Sequence, residues 1–243
     1  MEQLGDSAAV AAMRADNFVL AALPDEEFAR MAGRLEPVKM EVRDLVYDSG
    51  EPIGHVYFPA SAVLSMVSVV DGETAVEVAT IGREGMSGLP VFLGASASPN
   101  TVFAQVAGLA LRMRTHELRD FLTHDGALHR LLHRYIQATM VQLSQNVACN
   151  RLHTTEERTA RWLLMTADRV GDTRFALTQE FLAQMLGVRR ATVSITAGVL
   201  HNAGLISYTR GLITIDDRDR LAEAACDCYR IVRAEFDNLR RRA

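Results

Sequence analysis

The sequence predicts an α+β chain with three parts: an N-terminal antiparallel β-roll of the jelly-roll kind, a long dimerisation helix, and a C-terminal winged helix-turn-helix. Three observations carry this. Short runs rich in Val, Tyr, Phe and Thr recur between turn residues from Leu35 to Met113. No Gly or Pro interrupts the apolar periodicity from Ala127 to Asp168. Finally, Leu177–Ile215 spaces a small residue, a glycine and a valine as a helix-turn-helix does, and ends in two β-rich runs around a turn. The expected units are residues 1–115, 116–152 and 153–243.

Ahead of the strands, Pro24 followed by Asp25, Glu26 and Glu27 reads as a helix start. The strand runs are Val38–Val46, His55–Phe58, Val63–Val70, Ala75–Ile81, Val102–Ala107 and Ala110–Met113, with breaks that include Ser49-Gly50, Asp71-Gly72 and Ser98-Pro99-Asn100. Short strands at this spacing close into a barrel or roll.

The long helix follows. Leu128, Leu132, Tyr135, Ile136, Thr139, Leu143 and Val147 recur at three- and four-residue steps. So long an apolar face exceeds what one β-roll covers, and these seven residues are expected to pack against a symmetry mate. The other reading is a helix buried within one chain.

In the last part, Ala183 is small where two helices cross, and Gly187 can take the left-handed conformation that ends the first helix. Val188 and Val193 turn apolar groups back onto that helix. Arg189, Arg190, Thr192 and Ser194 then stand at the start of a helix shaped for the major groove, and Thr178 opens the helix before it. Leu205–Tyr208 and Leu212–Ile215 flank Thr209-Arg210-Gly211, a hairpin with Arg210 at its tip. The expected partner is double-stranded DNA; the plainer reading is a small α+β domain that only packs.

Charge fits a local rather than a general polyanion binder. The chain is net −4, but residues 1–150 hold 11 basic against 18 acidic side chains, while residues 151–243 hold 15 against 12. No acidic side chain occurs between Phe181 and Ile215. No apolar run reaches the roughly 18 residues of a membrane span. The N-terminus lacks a signal layout, and three cysteines make no disulfide framework, so a cytoplasmic protein away from the membrane is expected. No nucleophile-elbow, phosphate-loop or H-E-x-x-H motif is present, and an enzyme is not expected.

β-roll, long helix and winged helix in this order resemble the Crp/Fnr family of bacterial transcription regulators. The resemblance is strongest where Thr155–Leu164 is similar to the segment after the family's dimer helix and Thr178–Ile215 to its winged helix. It implies a homodimer on an inverted-repeat operator, contact with RNA polymerase, and a β-roll that senses a small effector. The family's guanine-reading Arg falls on Arg190. Two further polar readers fall on Ala191 and Ile195, so a different operator is implied. Arg189 stands where the family has a Ser cap, a loss of about 1 kcal/mol of capping.

The family's effector pocket maps onto Arg83, Glu84, Gly85, Ser87, Gly88, Asn100, Thr101 and, on the long helix, Ser144. The phosphate-binding Arg falls on Pro99 or Asn100 and the ribose-binding Glu on Gly88, so cyclic AMP is not expected to bind in the family's usual manner. Gly82, Gly85 and Gly88 form either an anion nest or a plain turn. No cofactor is expected, and the effector is left unnamed. N-terminal cysteines for an iron–sulfur cluster are absent. Cys226-Asp227-Cys228, read as helical, sends its side chains to nearly opposite faces, and His129/His133 lack a third ligand, so no metal is expected. The alternative function is a cytoplasmic ligand-binding or scaffold dimer without specific DNA binding.

Overall fold

The computed structural model describes residues 3–70, 74–122 and 126–241; the expected Asp71-Gly72 break lies outside these. Three helices come first: α1 (Gln3–Arg14), α2 (Phe18–Ala21) and α3 (Asp25–Ala32). The roll follows as β1 (Glu36–Met40), β2 (Leu45–Tyr47), β3 (His55–Pro59), β4 (Val63–Val70), β5 (Thr74–Ile81), α4 (Leu89–Phe92), β6 (Thr101–Val106) and β7 (Gly108–Arg114). Its two antiparallel sheets run β1-β7-β3 and β2-β6-β4-β5. The single run expected over Val38–Val46 is two strands in different sheets, because Arg43 takes φ 75 and turns the chain between them.

After α5 (Thr115–Phe121) comes the long helix α6 (Ala127–Leu152). Its free N-terminal amides are held from afar: Glu27 of α3 is buried, and its two carboxylate oxygens accept from Ala127 N and Leu128 N, each at 2.9 Å. Though no Gly or Pro interrupts the sequence, α6 ends at Leu152. Thr154 starts α7 (Thr155–Val170) through a capping box with Glu157.

Then come β8 (Arg174–Ala176), α8 (Gln179–Leu186), α9 (Arg190–Asn202), β9 (Ile206–Thr209), β10 (Leu212–Ile215), α10 (Arg218–Ala224) and α11 (Cys228–Arg241). A small antiparallel sheet, β8-β10-β9, completes this part. The last helix packs along α6 in the opposite direction, with Cys226 beside Cys149 at one end and Phe236 near Tyr135 at the other.

Among the described residues two large apolar cores form, and α7 belongs to the second of them. The first joins the N-terminal helices, the roll interior and the near half of α6. The second unites Val63, Val67 and Val106 of the roll with Trp162, Leu163, Phe181, Met185 and Leu200 of the C-terminal part. The roll and the reading head therefore share a core.

Buried polar groups pair across this seam. Glu77 of β5 accepts hydrogen bonds from Trp162 Nε1 at 2.8 Å, from Thr80 Oγ1 at 3.3 Å and from Ser65 Oγ. Glu84 pairs with Arg169 Nε at 2.8 Å, both side chains almost wholly buried, and Arg169 also donates to Gln142 Oε1 of α6 at 3.1 Å. Gln105 of β6 donates to Thr166 at 3.1 Å.

Burial pushes the Glu77 carboxyl above its ordinary value of 4.5, against the hydrogen bonds that draw it down. The folded chain thus keeps this proton where the unfolded chain has released it. The resulting stabilisation is complete below the unfolded value and is lost as pH rises through the folded one. Glu77→Gln keeps an acceptor for Trp162 without the charge. Relative to the parent chain it should gain stability as the pH is raised from about 5 to about 8. Urea midpoints of both chains at the two pH values check this, and a constant offset would refute the burial penalty.

Candidate nucleic-acid interface

The helix pair forms as its sequence dictates. Thr178 caps α8 by accepting from Phe181 N at 3.1 Å, so its hydroxyl is engaged in the fold. Gly187 ends α8 with φ 63, its amide bonded to Ala183 and Gln184, which only a glycine adopts without strain. Ala183 and Val193 are buried where α8 and α9 meet. Arg189 stands at the cap of α9 with no side-chain bond to the helix amides, as its sequence position implied.

The outer side of α9 carries two rows. Arg190 and Ser194 lie in one; Ala191, Ile195 and Val199 lie in the other, with Ile195 68% exposed. Arg189 is exposed and Thr192 half-buried beside them. Among the described residues, no acidic partner lies within salt-bridge distance of Arg189, Arg190 or Arg210. A helix with Ile195 and Val199 in water and two exposed arginines at its positive N-terminal end is a surface shaped for a polyanion bearing apolar groups.

The hairpin turns through Arg210 and Gly211, at φ 50 and φ 80. Both central residues of a type I′ turn need positive φ, and arginine is a costly choice for the first. The Tyr208 hydroxyl, bonded to the Leu177 carbonyl, ties the hairpin to the entry of α8.

The expected effector residues do not converge. Arg83 pairs with Asp16 at 3.5 Å and lies over Phe18, on the outside of the roll. Glu84 is consumed by Arg169. Gly85 lies against the fully buried Tyr135, whose ring carbons stand 2.0 Å from where a Cβ would be. Gly88 begins α4 at φ 100, and Ser87 pairs with Tyr57. Asn100 lies at Met66, and Thr101 donates to Asp48 at 2.6 Å near the surface. Ser144 is exposed on α6, bonded to the Met140 carbonyl. The expected pocket is corrected accordingly: the space between roll and long helix is filled by Tyr135 and Met86.

The expected dimer set is also corrected. Leu128, Leu132, Tyr135 and Thr139 face inward and are buried within one chain, because the roll and the N-terminal helices cover that side of α6. Ile136 and Leu143 are half-buried and Val147 is 74% exposed. With Met140, 58% exposed, these three form a separate outward seam at alternating four- and three-residue steps.

A cluster that sequence reasoning set aside is assembled at the end of α6. Cys149, His153, Cys226 and Cys228 bring one ligand atom each to within 4.8 Å of one another. Cys226 precedes α11 in irregular chain and Cys228 is its first residue, so the expected helical divergence of the C-x-C pair does not occur. A Cys and a His four apart near a helix end, paired with C-x-C, were the available signal. His129 and His133 instead stack with each other and against Phe92, at 4.5 to 5.3 Å between ring centroids.

Residues 157–224 match the model of the Crp-like helix-turn-helix domain. The chain is 25% identical over 206 residues to the CRP-like cAMP-activated global transcriptional regulator of Mycobacterium tuberculosis, covering 81% of this chain and 91% of that one. FixK2 from Bradyrhizobium japonicum shares the fold with TM-score 0.65 at 17% identity, over 79% of this chain and 98% of that one. A CRP-family transcriptional regulator from Thermus thermophilus does so with TM-score 0.64 at 18% identity, over 77% and 96%. The helix pair and its hairpin thus belong to a Crp-like helix-turn-helix domain. Beyond that domain, the chain shares its fold with a solved regulator of the CRP family. No helix among the described residues is long and apolar enough to cross a membrane.

Arg210→Asn places a residue tolerant of positive φ at the hairpin tip. It should stabilise the chain by up to about 1 kcal/mol. Thermal unfolding checks this; a lower midpoint would mean that Arg210 is held by contacts that offset its strain.

Proposed function

We propose that this chain regulates transcription by binding an inverted-repeat operator as a homodimer, and that its operator departs from the family's usual one. The observation that carries this is the exposed face of α9, where Arg190 stands beside an apolar row. Arg190 reads guanine through a bidentate contact, while the methyl groups of Ala191, Ile195 and Val199 meet thymine methyls in the major groove. Arg189, Thr192, Ser194 and the tip Arg210 contact the backbone and fix the register. The three units at 1–115, 116–152 and 153–243 serve as regulatory roll, dimer helix and reading head, with RNA polymerase as the further partner. The two-fold axis runs beside Ile136, Met140, Leu143 and Val147, which leave an apolar seam in water on a single chain. Cyclic AMP is not the effector in the family's usual manner, since the pocket lacks its arginine and Tyr135 occupies the space.

Selection of bound genomic fragments by the full chain should yield a two-fold symmetric site whose band weakens steeply with salt and is unchanged by cyclic AMP. Arg190→Ala should cost about 1–3 kcal/mol and relax selectivity at one position per half-site. Unchanged selectivity would overturn its role, and the absence of any sequence-selective band would favour a dimer that does not read DNA.

Val147→Arg places a charge in the seam without touching the core. Light scattering should report a monomer with unchanged circular dichroism. A persistent dimer would place the interface elsewhere.

A further inference from the structure

We infer that Cys149, His153, Cys226 and Cys228 form a mononuclear tetrahedral site for a thiophilic divalent ion, zinc in the first instance. The donor set is three sulfurs and one imidazole, and all four atoms already lie within 4.8 Å of one another. Cys149 Sγ and Cys226 Sγ are 3.5 Å apart, and Cys228 Sγ and His153 Nδ1 are 3.7 Å apart. Zinc–sulfur bonds of about 2.3 Å and zinc–nitrogen bonds of about 2.0 Å put tetrahedral edges at about 3.8 Å and about 3.6 Å. Two edges already match, and the others need to close by at most about 1 Å. A multi-iron cluster would need its ligands spread over several metal atoms, and this arrangement is too compact for one.

The surroundings suit the charge. The three cysteines are 0–4% exposed, so thiolates here need compensation. Three thiolates with a divalent ion leave one net negative charge. Arg161 acts electrostatically on all three sulfurs, and Arg158 interacts with Cys149 and Cys226. The Nε atoms of both arginines are buried without an acceptor among the described residues.

Position gives the site its consequence. His153 is the last cap of α6, Thr154 begins α7, and Cys226 and Cys228 open α11. One ion would join the corner between the long helix and the reading head to the start of the last helix. Its binding energy then adds to the stability of that corner, because the ligands converge only in the folded chain.

The full chain, purified reduced and without chelator, should carry about one zinc per chain by elemental analysis. Exchange with cobalt(II) should give the intense visible bands of tetrahedral cobalt with thiolate charge transfer in the near ultraviolet. Cys228→Ser and His153→Ala should each weaken the metal by roughly ten-fold or more and lower the thermal midpoint only of the metal-loaded protein. Should those variants fail to fold, cadmium-113 resonance of the parent chain counts the donors directly, with a shift in the three-sulfur, one-nitrogen range expected. A reduced chain that takes up neither zinc nor cobalt overturns the site. So does stoichiometric zinc that survives both substitutions, or a Cys149–Cys226 disulfide whose reduction restores no metal binding.

Discussion

The buried pair of Glu84 and Arg169 fixes where α7 lies, and the rest of the molecule is arranged around α7. Both charges are out of water, so each is tolerable only while the other is present; loss of one partner from such a pair costs about 3–5 kcal/mol. Arg169 also reaches Gln142 on the long helix, so a single guanidinium ties together the loop after β5, α6 and α7. Trp162, about two turns earlier on the same helix, is hooked to Glu77. An apolar contact could slide along this seam; two buried carboxylates with directional partners hold it in one register.

From that fixed helix the reading surface follows. α8 rests on β5 and on α7, with Phe181 edge-on to Phe103 of the roll at 6.1 Å and Met185 beside Ser65. α9 crosses α8 at Ala183 and Val193, which leaves its other side, Arg190 through Val199, in solvent. The exposed face is thus positioned by the β-roll itself. Between roll and long helix, Tyr135, Met86 and Gly85 fill the space from within, and Gly85 tolerates no side chain there.

Much of this was legible in the sequence where a residue's local role and its global role coincide. Gly187, Ala183 and Val193 have one physical job each, and they sit where their spacing put them. The hairpin was marked by Arg210-Gly211 between β-rich runs. Legibility failed where the third dimension chooses between equivalent patterns. An α6 with apolar residues on more than one side reads as one stripe, yet the fold divides it into a core row with Leu132 and Tyr135 and an outer seam with Met140 and Val147. The chain reversal at Arg43 had no glycine to announce it. The cysteine cluster joins residues 77 apart in sequence, and the helical assumption for Cys226 hid it.

The shared core also sets a condition on any ligand that would move the reading head. To swing the reading head away from the roll, the chain must uncover Val63, Val67 and Phe103 and separate Glu77 from Trp162 and Glu84 from Arg169. An effector that moved such a two-state equilibrium from about 1:99 to about 99:1 would need a differential affinity of roughly 10⁴ between the states, about 5.5 kcal/mol. A ligand that merely touched the outside of the roll, at Thr101, has no contact that differs between docked and undocked heads. A group bound at the corner of α6, α7 and α11 does, because its ligands come from both sides of the joint. The ion site inferred after Leu152 stands at such a joint, whereas Tyr135 and Met86 fill the interior beside the long helix.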